Sequence, residues 1–397
     1  MNLSTRVLAI KPSPTLAVTA RAAALKATGR DIIGLGAGEP DFDTPQLIKD
    51  AAIAAINAGF TKYTAVDGTP SLKAAIIAKF KRDNGLSYTP KQILVSCGGK
   101  QSFFNLVQAV INAGDEVIIP APYWVSYPDI VILADGKPVI IEAGIDQGFK
   151  ITPAQLQAAI TPRTRMVVIN SPSNPTGAVY TGTELAALGE VLRQHPQVLI
   201  ASDDMYEHIR LDDVAFVNIL NVCPDLYDRT LVLNGVSKAY SMTGWRIGYA
   251  AGPENIMRAM TNVQSQSTSN PTSISQVAAE AALNGDQGCI IPMLDAFKQR
   301  HRFVVDGLNN IPGFKCVDSG GAFYAFPDVR PAIMNLLARD IIDAPTDIAF
   351  SEYLLESADV AVVPGSAFGA EGYIRLSFAT SQANLEKALA RITAALA

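Results

Sequence analysis

Lys238 stands eight positions before Arg246 in the stretch SKAYSMTGWRIG, with glycine near both sides of the arginine. A lysine amine can attach covalently to a carbonyl, and an arginine fork suits the oxygens of a phosphate or carboxylate. Both residues are common on surfaces, so this spacing alone assigns neither. Three other groupings add chemistry. Asp203 and Tyr206 lie three apart in SDDMYEH. If both enter one crevice, the carboxylate could meet a protonated ring nitrogen and the phenol a ring oxygen, since a buried carboxylate needs a partner. Asp203 would equally suit a helix N-cap, as would Asp204. Asn174, in NSPSNPTG, offers an uncharged amide, although Asn–Pro also reads as a plain turn. Gly98, Gly99 and Lys100, in SCGGKQS, could present free N–H groups at a helix start to a phosphate, or simply form a strand-to-helix turn. They match neither the ATP-binding glycine loop nor the G-x-G-x-x-G of nicotinamide enzymes.

Each of these loops follows a short apolar run, which is what a parallel sheet needs to gather loops into one crevice. The runs at 92–96, 116–120, 165–170, 197–202, 230–235 and 245–251 read as strands buried on both faces. Segments 153–160 and 182–195 read as helices, with Thr181 or Thr183 capping the second. The alternation predicts an α/β fold with a mostly parallel central sheet. Residues 45–290 form the expected large cofactor-binding domain. Residues 291–397 form a connecting helix (291–310) and a smaller α/β domain, with strand signals at 320–329, in VAVVPGSAFG and in YIRLSFAT, and a closing helix at 384–396. Residues 1–44 are an N-terminal segment expected to join the small domain or to reach a partner subunit.

The 397-residue chain is 49% hydrophobic and 17% charged, which supports a large core and argues against a disordered chain. Its formal charge of −5 and lack of a basic block give no reason to expect a nucleic-acid partner. Four widely spaced cysteines support neither a metal site nor a disulfide framework. No apolar stretch is long enough for a membrane span, and a cytoplasmic location is the expectation.

Taken together, GLGAGEPDFDTP, KYTAVDGTPSLKAAI, SCGGKQSFFN, PAPYWVSYP, NSPSNPTGAVY, SDDMYEH, NGVSKAYSMTGWRIGY, GGAFY, VAVVPGSAFG and YIRLSFAT resemble the class I pyridoxal-phosphate-dependent aminotransferases of fold type I. The resemblance is to their bacterial aspartate aminotransferase branch, whose relatives include prephenate-using enzymes, and it spans almost the whole chain. It implies pyridoxal 5'-phosphate as cofactor, amino acids and 2-oxo acids as partners, and a homodimer with shared sites. Lys238 is then the catalytic residue that holds the cofactor aldehyde and moves the substrate's α-proton. Arg246 with Gly98, Gly99 and Lys100 would surround the phosphate, and Ser237 would assist. Gly235 stands where some relatives carry a serine, so one phosphate hydroxyl contact is missing. Asp203 would face the pyridine nitrogen, Tyr206 and Asn174 the ring oxygen, and Trp124 the ring face, although Trp124 also suits plain core packing. Tyr63 would reach a neighbouring subunit's phosphate.

For the substrate, Arg375 would grip the α-carboxylate, with Gly38, Asn174 and Trp124 beside it. Lys100, Ser13 and Thr15 would serve a distal acidic group, although Lys100 also suits the phosphate region or the rim. The implied reaction is ping-pong transfer from aspartate to 2-oxoglutarate. Prephenate use, or an aromatic or other amino-acid preference aided by Phe323 and Tyr324, is the alternative. Other reactions on the same cofactor, and a noncatalytic protein on the same fold, are the remaining readings.

Overall fold

A computed structural model describes residues 2–12 and 14–397. Its central sheet contains seven strands: β2 (Ile93–Ser96), β3 (Glu116–Ala121), β4 (Lys137–Glu142), β5 (Thr164–Asn170), β6 (Leu199–Asp203), β7 (Thr230–Gly235) and β8 (Gly248–Ala251), in the order β2-β8-β7-β6-β5-β3-β4. β3 to β7 pair in parallel, while β8 runs antiparallel to both β2 and β7. The sheet is therefore mixed, with one reversed strand inside a mostly parallel set, and a smaller domain accompanies it.

Side chains that alternate along each strand explain the continuous apolar runs. Ile93, Val95, Ile118, Val167, Ile200 and Val232 enter one core, while Leu94, Val117, Ile119, Met166, Ala201 and Leu231 enter another. A strand covered on both faces has no position left for a polar alternation. Edge strand β4 is the exception. Only Ile141 in it is buried, so it shows no buried run and escapes the sequence criterion. The strand expected at 245–251 is shorter because a tight turn occupies Thr243–Trp245 and Arg246 takes a left-handed backbone, φ 56°. Helix bounds fall close to expectation at Pro153–Ala159, Gly182–Arg193 and Ile291–Asn309. Thr181, rather than Thr183, caps the second of these through a reciprocal pair with Glu184.

The strand signals near the C-terminus resolve into short pieces. β9 (Tyr324–Ala325), β11 (Val363–Pro364) and β12 (Ile374–Ser377) form an antiparallel sheet. β1 (Ile33–Gly34) pairs in parallel with β10 (Val360–Ala361). The N-terminal segment is thus sewn to the C-terminal one: Leu35 N–H donates to Ala361 O at 2.8 Å, and Ser377 N–H to Leu35 O at 2.7 Å. Arg21 and Arg30 add ion pairs to Glu356, exposed contacts of small energetic weight.

Register explains how distant loops meet. Asn170 lies opposite Asp203, and Asp203 opposite Leu233, so the ends of β5, β6 and β7 are adjacent. The first residue of reversed β8, Gly248, faces both Gly235 and Ser96. That reversal delivers Arg246 to the same edge as the loops after β2 and β7. A side chain at Gly248 would strike the Gly98–Gly99 backbone, so glycine is required there.

Candidate active site

A cleft of about 270 Å³ opens at this edge. Gly38, Gly99, Lys100, Trp124, Asn174, Asp203, Tyr206, Ser237, Lys238, Arg246, Arg375 and Thr15 all line it. Gly98 sits behind Gly99, against Arg246. Tyr63 does not line its own chain's cleft and is 90% exposed. Ser13 lies outside the described residues.

Lys238 follows the end of β7, and its Nζ donates to Gly38 O at 2.6 Å. The amine lies 5.9 Å from the Tyr206 ring centroid. Burial, reinforced by the nearby Arg375 charge, lowers its pKa to about 8, while Glu39 and Asp203 oppose the shift. A neutral amine is therefore accessible near neutral pH, as a nucleophile or proton acceptor requires.

Asp203 ends β6 and caps no helix; a turn follows it. Its Oδ1 accepts from Met205 N–H at 3.2 Å, and its Oδ2 accepts from the Tyr127 hydroxyl. Burial raises its pKa, with Tyr127 and Met205 pulling the other way. A buried carboxylate lining a cleft is suited to a cationic N–H from a ligand. Tyr127 is a site residue that sequence reading missed. It lies three positions after Trp124, but nothing local pairs it with an aspartate 76 residues away.

Arg375 lies on β12, is 2% exposed, and projects into the same cleft. Its Nη1 donates to Asn174 Oδ1 at 2.8 Å and its Nη2 to Gly36 O at 2.7 Å. Its Nε has no partner, and no carboxylate among the described residues answers its charge. The guanidinium carbon lies 4.5 Å from the Tyr324 ring centroid and 4.9 Å from that of Phe368. Tyr324 Oη in turn shares a 2.8 Å hydrogen bond with Tyr206 Oη. A buried, orphaned cation fixed by neutral groups is an anion receptor. Gly36 supplies a backbone acceptor that the sequence did not disclose.

The third feature is a cradle. Gly98 has φ +92°, and a Cβ there would run into the Arg246 guanidinium; a Cβ at Gly99 would meet the Met205 methyl. Arg246 Nη1 donates to Thr243 O at 2.8 Å and Nη2 to Cys97 O at 3.3 Å, holding the fork beside the start of helix Gly99–Val110. Free N–H groups and a guanidinium converging on one spot suit a phosphate dianion. Gly98→Ala should weaken phosphate-ester binding about tenfold or more and cost about 1–2 kcal/mol of stability, through backbone strain and displacement of Arg246. Equilibrium dialysis and urea unfolding check the two effects.

Lys100, an exposed residue that lines the cleft, has its Nζ 5.2 Å from the Trp124 ring centroid. Thr15 presents a buried hydroxyl with no partner among the described residues.

Comparisons with known proteins agree with this geometry. The aminotransferase class I and II family model matches residues 30–392. The aspartate/prephenate aminotransferase of Nitrosomonas europaea is 68% identical over 396 residues, covering 100% of both chains. The aspartate aminotransferase of Geobacillus stearothermophilus is 54% identical, covering 99% of this chain and 98% of its own. Among solved structures, the Rhizobium meliloti aspartate aminotransferase superposes with TM-score 0.94 at 51% identity, covering 100% of this chain and 99% of its own. The Thermus thermophilus aspartate aminotransferase with maleate gives 0.93 at 44%, covering 100% of both. With its amine, carboxylate and anion receptor gathered on a fold shared over its whole length, this chain belongs to the class I and II aminotransferases, a pyridoxal-phosphate-dependent family, in their aspartate aminotransferase branch.

Proposed function

We propose that the protein is a pyridoxal-phosphate-dependent aminotransferase that takes aspartate as amino donor and 2-oxoglutarate as acceptor. The observation that carries this reading is the pairing of Lys238, with its lowered pKa, and buried, unanswered Arg375 in one cleft. When bound, the cofactor supplies an aldehyde for covalent attachment and a ring that accepts the electron pair left when the α-proton departs. Lys238 provides the attachment and carries the proton at the substrate's Cα. Asp203, ordered by Tyr127, would hold the pyridine N–H, while Tyr206 and Asn174 would face the ring oxygen. Gly98, Gly99, Ser237 and Arg246 would hold the phosphate, and Trp124 would cover the ring. Arg375 fixes the α-carboxylate and so orients the Cα–H bond, with Gly38 alongside.

A second carboxylate would reach Lys100 and Thr15, which supports dicarboxylic substrates. The Thermus thermophilus relative was solved with maleate, itself a dicarboxylate. Prephenate as a further acceptor is favoured by the names of the Nitrosomonas europaea relative and of a Cereibacter sphaeroides relative 58% identical to this chain. A homodimer also belongs to the proposal. Exposed Leu47, Ile53, Ile56 and Phe60 lead along the chain to Tyr63, which would complete the partner's phosphate site.

Initial rates with aspartate and either 2-oxoglutarate or prephenate test the acceptor assignment. Substitution Lys100→Met tests the donor pocket. It should lower kcat/KM for aspartate about 10–100-fold, the worth of one charge-assisted hydrogen bond, and change that for phenylalanine less than about threefold. Equal losses for both amino acids would remove Lys100 from side-chain recognition.

A further inference from the structure

Next along the chain from cleft-lining Tyr206 begins a buried polar cluster that no role above uses. Glu207 follows Tyr206, is 5% exposed, and does not line the cleft. Its carboxylate accepts from the Lys79 ammonium, from Asn84 Nδ2 at 2.7 Å and from Asn234 Nδ2 at 2.7 Å. Lys79, 0% exposed, ends helix Pro70–Lys79, and its Nζ also donates to Asn84 Oδ1 at 2.7 Å. Asn84 closes a π-helical turn, Phe80–Asn84, a local widening often found at functional sites. Asn234, four residues before Lys238, also accepts from Gly235 N–H through its Oδ1 at 2.7 Å.

We propose that Glu207 and Asn234 are a positioning pair that sets the Lys238 loop against the Asp203–Tyr206 loop. The two loops leave neighbouring strands, β6 and β7, and the Asn234–Glu207 contact joins their side chains across the strand ends. As a stability device the cluster is a poor choice, because apolar residues of similar volume commonly replace a buried ion pair without loss. What it supplies is direction, since several fixed donors meet one carboxylate and the strand end follows Asn234. Lys79 and His208 face Glu207 as cations or potential cations, and Asp83 and Asp204 stand nearby as acids. Burial opposes ionisation of Glu207, but Lys79, His208 and Asn84 outweigh it and hold its pKa at about 2, so the hub stays charged across the working pH range.

The proposal deepens the functional reading where it concerns catalysis, but its first test does not depend on that reading. Full-length protein, free of cofactor, is reductively methylated over a pH series, and the midpoint for Lys238 is read by peptide mass spectrometry. Asn234→Ala leaves the Lys79–Glu207 pair in place, and Lys79→Met combined with Glu207→Met removes both charges together. In both variants the Lys238 midpoint should move by about half a pH unit or more, with melting within a few degrees of wild type. In cofactor-loaded protein the same variants should lower kcat about tenfold with KM changed less than twofold. A purely structural cluster would lower the melting temperature of Asn234→Ala and leave its midpoint in place, and that result overturns the proposal. Wild-type protein without transamination would sink the functional reading, while the methylation midpoints would still decide the positioning role.

Discussion

Lys238→Ala should lower kcat for aspartate by about 10⁴-fold or more, because in the proposed function one side chain supplies both covalent attachment and proton transfer at Cα. The variant should still bind pyridoxal phosphate, now released by gel filtration in denaturant, since the cradle around Gly98 and Arg246 is untouched. Stability should move the other way. In the cofactor-free protein the Lys238 pKa is lowered to about 8 from an ordinary value of 10.5, so the buried ammonium opposes folding. Well below pH 8 both folded and unfolded chains carry the proton, and the penalty is fully present. Between pH 8 and 10.5 the unfolded chain binds more protons, so stability rises with pH and the penalty fades. Cofactor-free Lys238→Met, which keeps the side chain's bulk, should therefore melt higher than wild type at pH 7, with the gap closing towards pH 10. A variant at position 238 with wild-type turnover would remove this lysine from the chemistry.

Arg375→Leu carries the second large effect. Two charge-assisted hydrogen bonds to a carboxylate are worth about 4 kcal/mol together, so kcat/KM for aspartate should fall about 10³-fold. Arg375→Lys should recover little, because an ammonium cannot reproduce a planar fork held by Asn174 and Gly36. The ligand-free fold should lose little stability, since the wild-type guanidinium is buried without a counter-charge and its Nε is unpaired. Maleate should raise the melting temperature of the wild type and not that of Arg375→Leu, because binding to the native state stabilises by mass action. Loss of stability comparable to the loss of activity would make Arg375 a packing residue instead.

The large sheet was readable because its strands are covered on both faces and show as unbroken apolar runs. β4 was not, since an edge strand with one buried residue leaves no such run. The shortened β8 turns on a left-handed backbone at Arg246, a non-glycine residue whose sequence carries no signal for it. In the site, Lys238, Asp203, Tyr206, Asn174, Arg246 and Arg375 were nominated by motif, and they line one cleft. Their physical justification needed coordinates. The absent counter-charge of Arg375 and the clash that forbids a side chain at Gly98 are facts of packing. Tyr127 against Asp203, Tyr324 against Tyr206 and the Lys79–Glu207–Asn234 cluster join residues 76, 118 and 128 positions apart, or 27 in the nearest case, and no local pattern announces such contacts.

The most direct test of the central claim is a single-turnover half-reaction, followed by the absorbance of cofactor-loaded protein with no acceptor present. Aspartate, glutamate, phenylalanine and alanine are compared, and the keto-acid products are identified. The predicted result is rapid spectral conversion by aspartate and glutamate, one equivalent of oxaloacetate or 2-oxoglutarate per site, and reversal on adding 2-oxoglutarate. Conversion by phenylalanine or alanine but not by the acidic amino acids would contradict the dicarboxylic pocket. Bound cofactor with no keto acid from any donor would contradict transamination itself.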